Sequence, residues 1–272
     1  MKPIIIAPRR SFCAQDFAEM VEFRFVFFML IFRDIKLRYK QTYLGVLWVV
    51  LQPLMTALLF AVVFGKWMKM ESDGCPYFLF AFAALIPWLV FSQSIQRAST
   101  SLINEAHLVQ KIYFPRLFLP LSGTFGVVLD FLMTLFLLFL FLPFFGQSFQ
   151  LQMLFLPLWA LLLFTFASGF NILLSSLSAH YRDFKHIVPF FLQFWMYASP
   201  LAYSSHIIPE KWQLLFCLNP LTGLIDLFRW SLLGLPSFPL LSFSCCLSST
   251  LLLFVGSLFV FRKLEHTFAD VI

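Results

Sequence analysis

The sequence predicts an all-α integral membrane protein with six transmembrane helices, and three observations support this. The chain has 272 residues, of which 61% are hydrophobic and 12% are charged, with a mean hydropathy of +0.87. A soluble domain carries about 25% charged residues. Apolar stretches of about 20 residues recur, and each is long enough to cross the hydrocarbon core. Cations gather in short segments between alternate stretches, which is typical of cytoplasmic loops and explains the net charge of +6 without nucleic-acid binding.

The N-terminal part predicts a cytoplasmic lead followed by an amphipathic interface helix, together residues 1–42, ahead of a six-span domain at residues 43–272. Between Glu19 and Lys40 the uninterrupted apolar core is only Phe25 to Phe32, which covers about 12 Å as a helix and is too short to span. Its basic side chains are expected to face lipid head groups at the inner interface. The alternative is a juxtamembrane anchor without a mechanical role.

Hydropathy then predicts the spans in order. They run over about Tyr43–Trp67, Tyr77–Gln96, Leu117–Phe141, Met153–Leu177, Ile187–Tyr203 and Leu240–Phe261. Both termini are cytoplasmic in this topology, because the cations on the outer side are then only four of nineteen, namely Lys66, Lys69, Lys211 and Arg229.

Two connections do not read as spans. The polar segment from Ser99 to Arg116, between spans two and three, has an apolar side made of Leu102, Leu108, Ile112 and Tyr113. It predicts a short cytoplasmic helix whose apolar face lies on lipid or docks into a soluble partner. Residues 204–236 are broken by Pro209 and by Asn219-Pro220, and they predict two short re-entrant helices on the outer side between spans five and six.

Few residues carry recognisable chemistry. Asp130 is the only acid inside a predicted span, so it is expected either to make a structural polar contact or to take part in transport. There is no Gly-rich phosphate loop, and the five histidines show no metal spacing. We therefore predict no catalytic residue, no metal site and no cofactor on this chain. Cys75 and Cys217 fall on the predicted outer side, where either a disulfide or two free thiols is compatible with the sequence.

Five motifs in order resemble the permeases of type-2 ATP-binding-cassette transporters, in the branch that exports O-antigen, teichoic acid and capsule polysaccharides. They are Arg33-Asp34-x-Lys36-x-Arg38-Tyr39-Lys40 with Leu44-Gly45-x-Leu47-Trp48 and Gln52-Pro53; Asn104-x-x-x-Leu108-Val109-x-Lys111-x-x-Phe114-Pro115-Arg116; Tyr181-Arg182-Asp183; Asn219-Pro220-Leu221-Thr222 with Arg229; and Phe261-Arg262-x-x-Glu265-x-x-Phe268-Ala269-Asp270-Val271-Ile272.

The resemblance implies a half-transporter in the bacterial cytoplasmic (inner) membrane. Two copies of the chain would form a homodimer and pair with two copies of a separate ATPase, which would bind ATP and Mg. The cargo would be a lipid-linked polysaccharide. An exporter of a drug or lipid, or less closely a membrane-embedded enzyme or scaffold, is the alternative.

The resemblance also assigns roles to residues. Coupling to the ATPase falls to Arg33, Lys36, Arg38, Asn104, Leu108, Lys111, Phe114, Pro115, Arg116, Arg182 and Asp183. The substrate path is assigned to the aromatic residues Trp48, Phe194, Trp195 and Tyr197, with Asp130 added for its position in a span. The outer gate falls to Asn219, Pro220 and Arg229.

Overall fold

The computed structural model describes residues 14–40, 45–181, 183–266 and 268, and these residues form helices joined by turns and short loops, without a β-strand. Residues 1–13, 41–44, 182, 267 and 269–272 lie outside the described part of the chain, and with them Leu44 of the first motif, Arg182 and the last four residues of the tail motif. The described α-helices are α1 (Ala14–Glu22), α2 (Arg24–Lys40), α3 (Gly45–Phe60), α4 (Tyr77–Ala98), α5 (Ser101–Asn104), α6 (Ala106–Lys111), α7 (Phe118–Phe125), α8 (Val128–Phe144), α9 (Leu156–His180), α10 (Phe184–Tyr197), α11 (Glu210–Cys217), α12 (Pro220–Leu233) and α13 (Leu240–Glu265). A π-helix, Ala61–Trp67, continues α3, and 3₁₀ turns form at Leu151–Phe155 and Ser205–Ile207.

Five helical segments of the described chain are long and apolar enough to cross a membrane. They are Leu47–Trp67, Tyr77–Ala98, Phe118–Phe144, Leu151–His180 and Leu240–Glu265. Each overlaps a span predicted from hydropathy, because the thickness of the bilayer fixes how long an apolar helix must be. The all-helical membrane class is thus confirmed.

The predicted fifth span, Ile187–Tyr203, is not one continuous helix. α10 has 14 residues, about 21 Å of helix against the ~30 Å hydrocarbon core. It ends just before Pro200, because the residue preceding a proline is disfavoured in the α conformation. The side-chain amide of Asn219 donates to the carbonyl of Ala198 at 3.3 Å and to the hydroxyl of Ser199 at 3.0 Å, which holds the turn that follows.

The core is built around α4. This helix packs against α3, α7, α8, α9 and α12. In its most apolar 18-residue stretch, 83% is buried inside the protein. Alanines at positions 81, 83 and 84 are fully buried, and small residues of this kind let neighbouring helix backbones approach closely. The first and last spans are the least covered, since only 17% of the apolar stretch of each is buried. The faces of these two helices that point away from the core are therefore free to contact acyl chains or another subunit.

Two glycines permit close packing against α13. Gly169 of α9 faces the backbone of Phe254, where an added Cβ would lie 3.1 Å from its Cα. At Gly223 of α12 an added Cβ would lie within 2.6 Å of the Cβ of Cys246 and closer still to the carbonyl oxygen of Ser242. Close helix contacts in membranes depend on residues without a side chain at such positions.

Replacing Gly223 with alanine is expected to destabilise the protein by about 1–3 kcal/mol, because α12 must move away from α13 to accept the methyl group. The matched control is Gly256→Ala on α13, where an added Cβ meets nothing within 4 Å. Thermal unfolding of the tagged chain in lipid nanodiscs should show a lower melting temperature for Gly223→Ala alone. Equal melting temperatures for the two variants would contradict this packing.

Candidate functional site

Helix α2 is bound by an ion pair to the polar segment of residues 101–116, which follows α4 and is predicted to lie on the inner side of the membrane. The Arg33 guanidinium donates to both carboxylate oxygens of Glu105, at 3.0 and 2.6 Å, and to Asp34 at 3.0 Å. Burial acts to lower the pKa of Arg33, but the hydrogen bonds to Glu105 and Asp34 outweigh it and raise that pKa. A bidentate pair of this kind fixes orientation as well as distance. The basic side chains were expected to face lipid head groups; Arg33 is instead turned toward Glu105, whereas Lys36 is exposed.

The apolar face of α2 is divided between protein and surroundings. Leu30 is buried, and Phe27 packs against Phe118 and Phe125 with ring centroids 5.1 and 5.9 Å away. Phe25, Phe28, Met29 and Phe32 are exposed on the other side. α2 therefore lies against α7 and leaves a second apolar stripe uncovered.

A buried polar cluster joins the end of α2 to the third span. Arg38 forms an ion pair with Asp130 and donates to the side-chain oxygen of Gln93 at 3.1 Å. The Tyr39 hydroxyl donates to the other carboxylate oxygen of Asp130 at 2.5 Å. Asp130 is 5% exposed and lies in the first turn of α8, where the helix dipole favours a negative charge. The geometry gives Asp130 a structural contact across the helices.

The segment from Ser101 to Arg116 contains two short helices, α5 and α6, separated at Glu105. Its buried side chains are Leu102, Val109 and Phe114, which pack in a cluster with Leu30, Ile172 and Phe261. Of the four residues expected on the apolar face, Ile112 and Tyr113 are instead exposed. Phe114 thus anchors the segment, while Asn104, Lys111 and the two residues after it form its outer surface.

Two further contacts hold this inner segment in place. The Arg116 guanidinium donates to the backbone carbonyl of Glu265 at 2.7 Å, and the Tyr113 hydroxyl donates to the carboxylate of Glu19 at 2.6 Å. The hydrogen bond to Glu19 raises the pKa of Tyr113 to about 12, so its hydroxyl stays protonated. Residues 101–116 are therefore tied to α1, α2 and α13 at once.

The structure covers only part of the second loop that was predicted to couple to the ATPase, Tyr181-Arg182-Asp183. Arg182 lies outside the described residues, and Asp183 is exposed immediately before α10. Leu108 is half-buried beside Val109, and Pro115 is half-buried after Phe114. The structure brings the Arg33 region and the Asn104–Arg116 segment together, whereas no contact of Asp183 with either is seen among the described side chains.

A cavity of about 550 Å³ opens between α2, α3, α4 and α10. Six amide and hydroxyl side chains line it together with Arg38, Arg97 and apolar side chains such as Trp88 and Leu192; the six are Gln52, Thr56, Ser92, Gln93, Gln96 and Gln193. The sequence reasoning missed these glutamines, although four of them within or at the ends of predicted spans are a detectable signal. Such groups hydrogen-bond a polyhydroxylated ligand without fixing a charge on it.

The predicted path residues take two different positions. Trp48 on α3 and Phe194 and Tyr197 on α10 are 57%, 66% and 69% exposed. Trp195 turns inward against Phe91, with ring centroids 4.9 Å apart, and its indole N–H donates to Asn219 at 2.8 Å. None of the four lines the 550 Å³ cavity.

The predicted outer-gate residues form a joint, a packed contact between α12 and the turns that follow α10. The side-chain oxygen of Asn219 accepts from the backbone N–H of Leu221 at 3.1 Å and so caps α12, with Pro220 at the first helical position. Arg229 is 1% exposed and donates to the carbonyls of Leu201, Tyr203 and Phe80 at 3.0, 3.2 and 3.4 Å.

Asp226 is the acidic member of this joint. Its two carboxylate oxygens accept from Ser205 at 2.9 Å and from Ser242 at 3.0 Å. Burial raises the pKa of Asp226, while the nearby Arg229 charge and the two serine hydroxyls oppose that rise. Burial lowers the pKa of Arg229 to about 10, so it remains charged at neutral pH. Nearby, Cys75 and Cys217 are free thiols.

Apolar spans around a polar cavity, with a polar inner segment fastened to α2, are typical of a membrane permease that works with a cytoplasmic partner. Residues 26–233 match the family described as "ABC-2 type transporter", and the chain belongs to that family. The resemblance read from the motifs is confirmed.

Individual relatives are named for O-antigen export or polysialic acid transport. The O-antigen export system permease protein RfbA of Klebsiella pneumoniae is 31% identical over 245 residues, which cover 88% of this chain and 92% of the relative. The protein of the same name from Myxococcus xanthus is 28% identical over 213 residues, 78% of this chain and 81% of the relative. The polysialic acid transport protein KpsM of Escherichia coli is 26% identical over 207 residues, 74% of this chain and 78% of the relative.

Proposed function

We propose that this chain is the permease subunit of an ATP-driven exporter that moves a lipid-linked polysaccharide outward across the bacterial cytoplasmic membrane. The observation that carries the proposal is the similarity, along most of the chain, to O-antigen export permeases. The cavity lined by glutamine and serine side chains supports it, because sugar hydroxyls need neutral hydrogen-bonding partners. ATP and Mg are handled by a separate ATPase, two copies of which pair with a homodimer of this chain.

We propose six membrane crossings with both termini in the cytoplasm. Five come from the long apolar helices, and α10 with the turns after it supplies the sixth. Three residues separate the start of α10 from His180, where the fourth span ends, and Ser204 donates to Asp73, in the loop between the first two spans, at 2.9 Å. Because these two loops lie on opposite sides in the orientation favoured by the cations, residues 184–204 pass through the membrane.

We assign ATPase coupling to the exposed surface of the segment from Asn104 to Tyr113, with Lys111 at its centre. Phe114 and Arg116 hold that surface against the permease core, and Glu105 passes its movement to α2 through Arg33. α2 lies at the inner interface with Lys36 toward head groups, and the exposed stripe of Phe25, Phe28 and Phe32 supports this assignment.

We place the glycan path between two copies of the chain. Trp48, Phe194 and Tyr197 present exposed rings from the helices that border the 550 Å³ cavity, and sugar C–H faces pack on such rings. Trp195 and Asp130 serve as positioning residues, since their polar groups are bonded within the chain. α12 and Asn219 support the outer side of the path.

Charge reversal at Lys111 tests both the partner and the cargo. In a strain lacking the chromosomal copy, the tagged wild-type chain should restore surface polysaccharide and co-purify with an ATPase. Lys111→Glu should insert normally, yet capture at least about tenfold less ATPase and leave the polymer inside the cell, because a reversed charge at a docking surface costs about 1.4 kcal/mol or more. The matched control is Lys263→Glu, an exposed inner-side cation at the end of α13.

The assignment of Lys111 to the coupling surface and the assignment of the polysaccharide cargo can be refuted independently. Normal ATPase capture and normal export by Lys111→Glu would remove Lys111 from the coupling surface. A strain without the chain that keeps its normal surface polysaccharide would refute the cargo, even if the ATPase is captured. Surface polymer is measured by immunoblotting of intact cells, and insertion by the membrane level of the tagged chain.

A further inference from the structure

A second cavity, of about 210 Å³, lies on the outer side among α11, α12 and the beginning of α13. It is separate from the 550 Å³ cavity, with which it shares no lining residue. Its volume corresponds to about seven water molecules at ~30 Å³ each and falls below the ~300–1,000 Å³ of drug-sized ligand sites. A single small ring fits such a space, whereas a longer segment of polymer does not.

The lining combines the groups that recognise a polyhydroxylated ring. Gln213, His206 and Ser237 contribute an amide, an imidazole and a hydroxyl, all at least partly exposed. Trp230 and Phe238 also line the cavity, with their ring centroids 5.0 Å apart and their planes at 83°. Hydroxyl groups of a ligand meet donors and acceptors here, and its C–H face meets an aromatic ring.

The charges in this cavity favour a neutral ligand. Asp226 and Asp73 oppose an anion, while Arg229 opposes a cation. Both carboxylates are already satisfied inside the chain, Asp226 by Ser205 and Ser242 and Asp73 by Ser204. No group of three or more metal-ligating side chains occurs among the described residues.

One lining group is left unpartnered. Thr222 is 1% exposed, and its hydroxyl oxygen has no hydrogen-bond partner. Four other helical threonines donate to the carbonyl four residues earlier, at 2.7 to 3.1 Å, namely Thr56, Thr124, Thr134 and Thr165. A buried hydroxyl without a partner carries an unfavourable free energy that a ligand hydroxyl would remove.

We propose that this outer cavity binds one sugar ring of the glycan as it leaves the permease. Thr222 and Gln213 hydrogen-bond the ring hydroxyls, and Trp230 packs against its C–H face. The proposal rests on the proposed function and adds to it an outer subsite with a neutral monosaccharide unit as its ligand. The site joins the short outer helices to α13, so a ring bound there lies beside the joint held by Arg229.

The test is saturation-transfer NMR on the full-length chain in lipid nanodiscs, prepared without glycoside detergents that would themselves fill a sugar site. The probes are D-glucose, D-galactose, D-mannose, L-rhamnose and N-acetyl-D-glucosamine at millimolar concentration, with acyclic mannitol as the comparison. At least one pyranose should receive saturation and mannitol should not. Thr222→Val should weaken that binding by about three- to tenfold, as expected for one lost hydrogen bond.

Controls separate the site from general effects. Thr222→Val should melt at or above the wild-type temperature, because the deleted hydroxyl has no partner, and Thr165→Val on α9 should bind sugar as the wild type does. Trp230→Leu should abolish the signal. Saturation of no pyranose, or equal binding by wild type, Thr222→Val and Trp230→Leu, overturns the proposal. A failure of the cargo assignment would appear instead as unchanged surface polysaccharide in the strain without the chain.

Discussion

Replacing Arg229 with methionine is expected to prevent most of the chain from folding into the membrane. Arg229 is 1% exposed, donates to three backbone carbonyls and lies over the ring of Phe80 with its guanidinium carbon 3.5 Å from the centroid. Methionine leaves those carbonyls without donors and leaves the buried Asp226 without its nearby positive charge. Breaking such an arrangement costs about 3–5 kcal/mol, a large part of a typical folding free energy of about 5–15 kcal/mol.

The measurement is fluorescence-detected size-exclusion of the tagged chain, followed by thermal unfolding of whatever remains monodisperse. Arg229→Lys should fall between wild type and Arg229→Met, because an ammonium keeps the charge but cannot reach three carbonyls in one plane. Lys211→Met, at an exposed cation of α11, is the matched control and should behave as wild type. Arg229→Met with wild-type yield and melting temperature would show that the joint does not depend on this guanidinium.

Arg229 also illustrates what a sequence reveals and what it does not. Its motif, Asn219-Pro220 followed by an arginine, predicts an outer-side role, and the cap at Asn219 follows from local chemistry. Its carbonyl partners lie at positions 80, 201 and 203. Contacts that depend on how distant segments pack leave no periodic pattern in the chain, so the burial of this charge was not predicted.

Membrane spans were the most predictable part of the fold, because bilayer thickness imposes one length on every apolar helix. The exception is α10, where Pro200 ends the helix early although apolar residues continue. The inner segment was harder to predict. The apolar side was assigned to Leu102, Leu108, Ile112 and Tyr113, but α6 ends at Lys111 and the two residues after it are exposed. Val109, seven residues after Leu102 and so on the same helical face, is buried instead, together with Phe114.

The polar cavity was missed for a related reason. Gln52, Gln93 and Gln193 come from three different helices, and each alone is an ordinary polar residue in a span. Only the packing of α3 and α10 against α4 brings them to one space. Asp130, in contrast, stands out in the sequence because a carboxylate is costly in a membrane, whereas its partner Arg38, 92 positions earlier, was not foreseen.

Removing either Arg38 or Asp130 alone is expected to be far more harmful than removing both. Asp130→Leu leaves the Arg38 guanidinium with Gln93 but without its carboxylate, and Arg38→Leu leaves the buried Asp130 with only the Tyr39 hydroxyl described beside it. Leaving one buried charge without its counter-charge costs about 3–5 kcal/mol, whereas replacing both charges with apolar groups is often neutral. The double variant Arg38→Leu with Asp130→Leu should therefore recover the membrane level and melting temperature lost in each single variant.

The same double variant separates stability from transport. Arg33 connects α2 at Glu105 to the segment that we propose couples to the ATPase, and Arg38 connects α2 to the third span at Asp130. If α2 passes movement of the docked ATPase to that span through this ion pair, the double variant should be stable, hydrolyse ATP with its partner and export at least about tenfold less polysaccharide. Restored export in the double variant would limit the ion pair to holding the fold, and a double variant as unstable as the single ones would contradict the pairing itself. A double-mutant cycle on melting temperature gives the interaction free energy that decides between these outcomes.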